Sequence, residues 1–168
     1  MILIALGSNL ASAAGAPAQT VAAALAAFRA NEIEPIKVSR FYRSEAWPDK
    51  NDPPFINAVA QIATRLPPAK LLEALHAIEH RFGRVRDRRN APRTLDLDIL
   101  DYEARVEFGP PVLPHPRMDT RAFVLLPLTE IAPNWLHPVS GRRITELLAQ
   151  LPADVQCPEP LPPTGTSG

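Results

Sequence analysis

Residues 94–102 read TLDLDILDY, a stretch whose alternation fits the closing strand of a sheet. A strand's period of two sends Leu95, Leu97 and Ile99 to one face and both Asp96 and Asp98 to the other. Upstream, residues 67–83 read PPAKLLEALHAIEHRFG. Pro67-Pro68 starts a helix there, Leu71, Leu72, Leu75, Ile78 and Phe82 form its apolar stripe, and Gly83 stops it. Further back, two alternating runs, Ile36 to Tyr42 and Phe55 to Leu66, predict two strands joined by a long loop bearing Pro and Asp. Loops of that length are often functional. The N-terminal run from Ile2 to Leu6 is continuously apolar, as a central strand covered on both faces is, and Gly7-Ser8-Asn9 supplies turn chemistry. Pro17 opens an Ala-rich helix with Val21, Leu25 and Phe28 at helical spacing, ending near Asn31.

The predicted order is therefore β, α, β, β, α, β, without an internal repeat, which is the α+β, ferredoxin-like plan of an antiparallel sheet with flanking helices. A helical turn follows over Asp119 to Leu126, limited by Pro127, and a last short helix over Ile144 to Leu151. One domain is expected over 1–150, and a Pro-rich, disordered tail over 151–168. Because this fold serves many functions, function has to be read from the site.

Lys plus Arg and Asp plus Glu both number 18, so no global field argues for binding nucleic acid or an anionic membrane. The single Cys157 allows no intrachain disulfide and no Cys-based metal site, which fits a reducing compartment, and cytoplasm is the expected location. No run approaches the ~20 apolar residues of a membrane helix, and the N-terminal run lacks the basic flank of a signal.

Two carboxylates side by side on a half-buried face repel and lose hydration, so Asp96 and Asp98 call for a compensating cation. Hard Mg²⁺, with its preference for carboxylate, water and phosphate oxygen, suits them. A bare Asp-X-Asp is more often a solvated strand face, but here Arg81, Arg84, Arg86, Arg88, Arg89 and Arg93 lie just upstream, with Asp87 the only acid among them. Guanidinium forks suit bidentate contact with phosphate oxygens. A loop of this kind beside a diacid strand reads as a polyphosphate clamp plus a metal site. His115, between Pro114 and Pro116, is followed by Arg117 and Arg121, a second basic element within reach of the same phosphates. No Walker loop, metalloprotease helix or Gly-X-Ser-X-Gly elbow occurs. Phe55, Asn57, Trp47 and Phe123 could sandwich a flat heterocycle and read its edge.

Together these residues resemble the 6-hydroxymethyl-7,8-dihydropterin pyrophosphokinase family of folate biosynthesis. The likeness runs from Ala5-Leu6-Gly7-Ser8-Asn9-Leu10 through Phe41-Tyr42-Arg43, Phe55-Ile56-Asn57-Ala58 and Gly83-Arg84-Val85-Arg86. It continues through residues 89–100, Pro114-His115-Pro116 and residues 121–128. The resemblance implies diphosphate transfer from ATP to the pterin hydroxymethyl group, with two Mg²⁺ ions held by Asp96 and Asp98. It implies catalytic roles for Arg84 and Arg93 with the two acids, and ATP contacts for Glu79, Arg86, Arg89, His115 and Arg121. The pterin pocket would use Gly7, Ser44, Trp47, Phe55, Asn57 and Phe123. Partners are then small molecules, not nucleic acid or membrane, and a monomer is expected. Two rival readings are a nucleotide-sugar transferase, which also uses Asp-X-Asp, and a ferredoxin-like RNA-binding module. The first fits poorly with so short a chain, and the second with two acids where a base-stacking sheet would show aromatics.

Overall fold

The computed structural model of the chain describes residues 1–85 and 91–162. Strands are β1 (Ile2–Ser8), β2 (Glu34–Val38), β3 (Tyr42–Ser44), β4 (Phe55–Ala63), β5 (Asp96–Tyr102) and β6 (Glu159–Pro160), and helices are α1 (Pro17–Phe28), α2 (Pro68–Arg81), α3 (Ala122–Ile131) and α4 (Ile144–Ala149). The apolar β1 lies centrally, antiparallel to β4 on one side and β5 on the other. β4 carries β2 and β3 along its other edge, and β6 closes the sheet outside β3. This is the ferredoxin-like order with its second strand broken in two.

Two apolar layers explain the alternation. Ile2, Ile4, Leu6, Leu95, Leu97 and Ile99 pack with Val21 and Phe28 of α1 and with Leu71, Leu75 and Ile78 of α2. On the opposite face Leu3, Val59 and Leu100 pack with Val124, Leu125 and Leu128 of α3, Trp135, and Ile144 and Leu147 of α4. The β1–β5 register slips between Leu3, opposite Asp101, and Ile4, opposite Ile99, so β5 bulges at Leu100. Upstream of the bulge Asp96 and Asp98 lie opposite Gly7 and Ala5. Downstream, Asp101 accepts the Trp135 Nε1–H at 2.7 Å and the Ala104 N–H at 2.9 Å, which ties β5 to the segment after α3.

Three sequence expectations differ from the structure. The run from Ile36 to Tyr42 is not one strand: it breaks between β2 and β3, where Ser39 turns inward, its N–H donating to the Val59 carbonyl and its Oγ accepting the Val59 N–H. Pro127 does not limit its helix but lies inside α3, which runs on to Ile131. An interior Pro costs about 3 kcal/mol or more. Burial of Val124, Leu125, Leu128 and Ile131, at about 1.5–3 kcal/mol each, outweighs that cost. Finally, the stretch after Leu151, expected to be disordered, carries β6: Tyr42 pairs with Pro160 and Arg43 with Glu159, and the Leu161 N–H donates to the Phe41 carbonyl at 2.7 Å. Its Pro-rich composition precludes a core of its own, but the open edge of β3 supplies partners from outside.

Among the described residues no helix is long and apolar enough to cross a membrane.

Candidate active site

A cleft of about 590 Å³ opens where the C-terminal end of β1 meets the start of β4 and β5. It divides into a charged half and an aromatic half. In the charged half Asp96 is gripped from two sides, by Arg84 Nη1 at 3.1 Å from Oδ1 and Arg93 Nη1 at 2.8 Å from Oδ2. The Arg84 Nη1 also donates to the Leu95 carbonyl at 2.9 Å. Arg84 is set by the end of α2, where Gly83 takes a φ of +79° and the Arg84 N–H returns to the Glu79 carbonyl. Glu79 itself is buried, and its Oε1 accepts the Leu97 N–H at 2.8 Å, fastening α2 to β5.

Asp98 lies one strand period further along, its side chain 38% exposed to the cleft. Burial and then the charge of Asp96 push its carboxyl up to about 6, although Arg121, Arg93 and Arg84 pull the other way. His115 Nε2 is 3.8 Å from Asp98 Oδ2. Burial, and after it Arg121 and Arg117, hold this imidazole down to about 4, so it is neutral near pH 7 and forms no ion pair. Its Nδ1 accepts the Arg117 N–H at 3.1 Å, which leaves the proton on Nε2, facing Asp98. Burial and Arg117 also lower the Arg121 guanidinium. Among the described residues the Asp98 carboxylate thus has no charged ion-pair partner. Among the described residues no group of three or more His, Cys, Asp or Glu could hold a metal ion. Two carboxylates without a third suit an ion such as Mg²⁺ that completes its shell with water and substrate phosphate.

In the aromatic half, Phe55 at the start of β4 and Phe123 at the start of α3 line the cleft with Asn57, Gly7, Ser44 and Trp47. The Asn57 Nδ2–H donates to Ser44 Oγ at 2.8 Å, fixing the amide so that Oδ1 lies toward Gly7. A Cβ at Gly7 would stand 3.4 Å from that Oδ1 and 3.8 Å from Phe55, so glycine keeps the floor open beside these side chains. Arg93 sits over the Phe55 ring at 5.7 Å and Arg121 over the Phe123 ring at 5.5 Å, joining the two halves through cation–π pairs.

The structure therefore brings ten of the sequence-derived residues to the cleft lining: Gly7, Ser44, Trp47, Phe55, Asn57, Arg93, Asp96, Asp98, Arg121 and Phe123. Arg84, Glu79 and His115 stand just behind it, on the contacts given above. Arg86 and Arg89 lie outside the described residues. Sequence reasoning missed Asn9, whose Oδ1 accepts the Arg93 N–H at 2.7 Å and whose Nδ2–H donates to the Pro53 carbonyl at 3.0 Å. One side chain thereby anchors both the arginine segment and the loop before β4. Its sequence signals are the Gly-Ser-Asn turn, which local chemistry explains equally well, and its place in the Ala5–Leu10 stretch, and neither says what its amide meets. Asp154, Val155 and Gln156 also line the cleft, from the segment expected to lack structure.

Fold and site together define an α+β protein with a carboxylate–guanidinium pocket opening onto an aromatic one. Residues 3–133 match the family described as 7,8-dihydro-6-hydroxymethylpterin-pyrophosphokinase (HPPK), and the chain belongs to that family. The 2-amino-4-hydroxy-6-hydroxymethyldihydropteridine pyrophosphokinase of Pseudomonas aeruginosa is 46% identical over 153 residues, 90% of this chain and 91% of that protein. The enzyme of the same name from Haemophilus influenzae is 43% identical over 149 residues, 88% of this chain and 90% of its own. Among solved structures, an HPPK-DHPS in complex with substrates superposes with a TM-score of 0.66 at 14% identity, and Plasmodium falciparum HPPK-DHPS with 0.62 at 13%. Each superposition covers 88% of this chain but only 42% and 44% of the longer partner, and at that identity the likeness bears on fold alone.

Proposed function

We propose that this chain transfers the terminal diphosphate of ATP to the hydroxymethyl group of 6-hydroxymethyl-7,8-dihydropterin, releasing AMP, in folate biosynthesis. The observation that carries this reading is the meeting, in one cleft, of the Asp96–Asp98 edge with the Phe55, Asn57 and Phe123 pocket. Family membership supplies the substrates that such a pair of pockets would join.

Phe55 and Phe123 offer faces for the flat pterin, and the Asn57 amide, oriented by Ser44, meets its edge. Arg93 and Arg121, each resting on one of those rings, are the cations this reading assigns to the phosphates. The hydroxymethyl oxygen bonds to the β-phosphorus, the bond from that phosphorus to the α,β-bridging oxygen breaks, AMP leaves, and the hydroxyl proton is released to solvent. Asp96 and Asp98 would hold two Mg²⁺ ions, which when bound neutralise phosphate charge and favour the ionised alcohol. His115, neutral and with its proton on Nε2, is a donor to phosphate oxygen rather than a base. The reading includes a monomeric chain acting in the cytoplasm.

The test is incubation of the protein with ATP, Mg²⁺ and the pterin, with the nucleotide products resolved. AMP in equal amount to diphosphorylated pterin is expected. ADP, or no consumption of ATP, overturns the proposal.

A further inference from the structure

We infer that residues 154–161 act as a positioning element for the pterin, forming the outer wall of the aromatic half-cleft and holding the loop that closes it. The inference rests on the functional reading above for the identity of the substrate, and on four contacts for the role of the segment.

The loop between β3 and β4, residues 45–54, carries Trp47 and reaches over the cleft with Glu45, Ala46 and Lys50 also in its lining. Its far end is fastened by Asn9 at the Pro53 carbonyl. Its near end leaves β3, a strand of three residues on the outer edge of β4. So short a strand is a weak anchor by itself. β6 pairs with it from outside, through Tyr42 with Pro160 and Arg43 with Glu159, and the Leu161 N–H extends the ladder to the Phe41 carbonyl. One residue beyond β3, the Glu45 N–H donates to Gln156 Oε1 at 3.3 Å. Just before Gln156, Val155 is half-buried and lines the cleft beside Asp154 and Gln156, and between the attachments Pro158 is buried.

The consequence for recognition runs through Ser44, the last residue of β3. Its Oγ accepts the hydrogen bond that orients the Asn57 amide, so displacement of β3 would release the group that reads the pterin edge. Among the described residues no hydrogen bond or ion pair joins the segment to Asp96, Asp98, Arg84 or Arg93, so the phosphate half should be indifferent to it. A positioning role for the pterin alone therefore predicts a split between the two substrates. A generally structural role predicts that both deteriorate together.

The experiment compares the full chain with a chain ended after Pro152, a control ended after Pro162, and Gln156→Ala. Leu151, which packs on the α3–α4 core, is retained in all of them. In the chain ended after Pro152 the KM for the pterin should rise about ten-fold, since one hydrogen bond and a wall contact together correspond to about 1.4 kcal/mol. Gln156→Ala should raise it about two- to five-fold, on the loss of one exposed hydrogen bond. The KM for ATP and kcat at saturation should stay near full-chain values, and the control should be unchanged. Pterin binding followed through tryptophan fluorescence in a Trp135→Phe background should weaken in parallel. An unchanged pterin KM in a shortened chain of normal melting temperature overturns the inference, as does a parallel loss in both KM values and kcat. If the shortened chain melts below the assay temperature, Gln156→Ala decides, and an unchanged pterin KM there also overturns it. Failure of the functional reading is separate, because it is seen in the full chain as absence of AMP.

Discussion

Replacing Asp98 by Asn should make the protein more stable while removing its activity, because this carboxylate is held against its own preference. Its carboxyl is pushed from 3.8 up to about 6 by burial and by Asp96, a difference worth about 3 kcal/mol if fully expressed. With 38% of the side chain exposed, solvent screening reduces the recoverable part to about 1–2 kcal/mol. The sign follows from linkage: a carboxyl raised in the folded state favours the fold when protonated and opposes it when ionised. The penalty is thus complete above pH 6, shrinks as pH falls through 6, and is gone by pH 4, near the unfolded value. At about 2–4 °C per kcal/mol for a chain of this size, Asp98→Asn should melt about 2–8 °C higher at pH 7.5 in a chelator, with the advantage lost near pH 4. Mg²⁺ with ATP should raise the melting temperature of the parent chain by mass action but leave the variant nearly unmoved. Turnover of the variant should fall by at least about 100-fold, the scale of one lost electrostatic contact to a transition state. A variant that melts at or below the parent temperature at pH 7.5 refutes the view of Asp98 as an uncompensated charge.

Arg93→Ala should lower kcat about 100-fold, and Arg93→Lys should recover little, because a point charge cannot both grip Asp96 Oδ2 and sit over the Phe55 ring; steady-state kinetics of the two variants checks this. Asn57→Ala should raise the pterin KM about ten-fold with the ATP KM within about two-fold, by loss of the oriented amide; initial rates with each substrate varied in turn separate the two. Glu79→Ala should cost about 1–3 kcal/mol of stability, since the buried Leu97 N–H loses its acceptor, and at a temperature where the variant is folded the ATP KM should change little; chemical denaturation alongside kinetics distinguishes this strut from a nucleotide ligand.

What could be read from the sequence, and what could not, divides by the range of the interaction responsible. Alternation of Leu95, Leu97 and Ile99 with Asp96 and Asp98 is a local pattern, and so is the α2 stripe of Leu71, Leu75 and Ile78, and these two elements suffice to set the diacid on the face away from the α1–α2 core. The arginines flanking the strand are local as well, which is why a basic element could be set beside the diacid, whereas the grip of Arg84 and Arg93 on Asp96 itself depends on the turn after α2 and the loop before β5. By contrast, Asn9 acts on residues 44 and 84 positions away, and no property of a Gly-Ser-Asn turn reveals what its amide will meet. Pro127 misleads for the same reason: its local cost is real, but the burial that offsets it lies in the packing of α3 against β4 and α4. The C-terminal segment is the strongest case, because every local measure of it argues for disorder. Its order comes from the edge of β3, which the break after β2 leaves as three residues, too short to stand alone. A chain that splits its second strand and carries a loop over the cleft exposes an edge beside that loop, and residues 159–161 cover it. The same break that disrupts the expected strand thus creates the place where β6 pairs, next to Asp154, Val155 and Gln156 in the cleft lining.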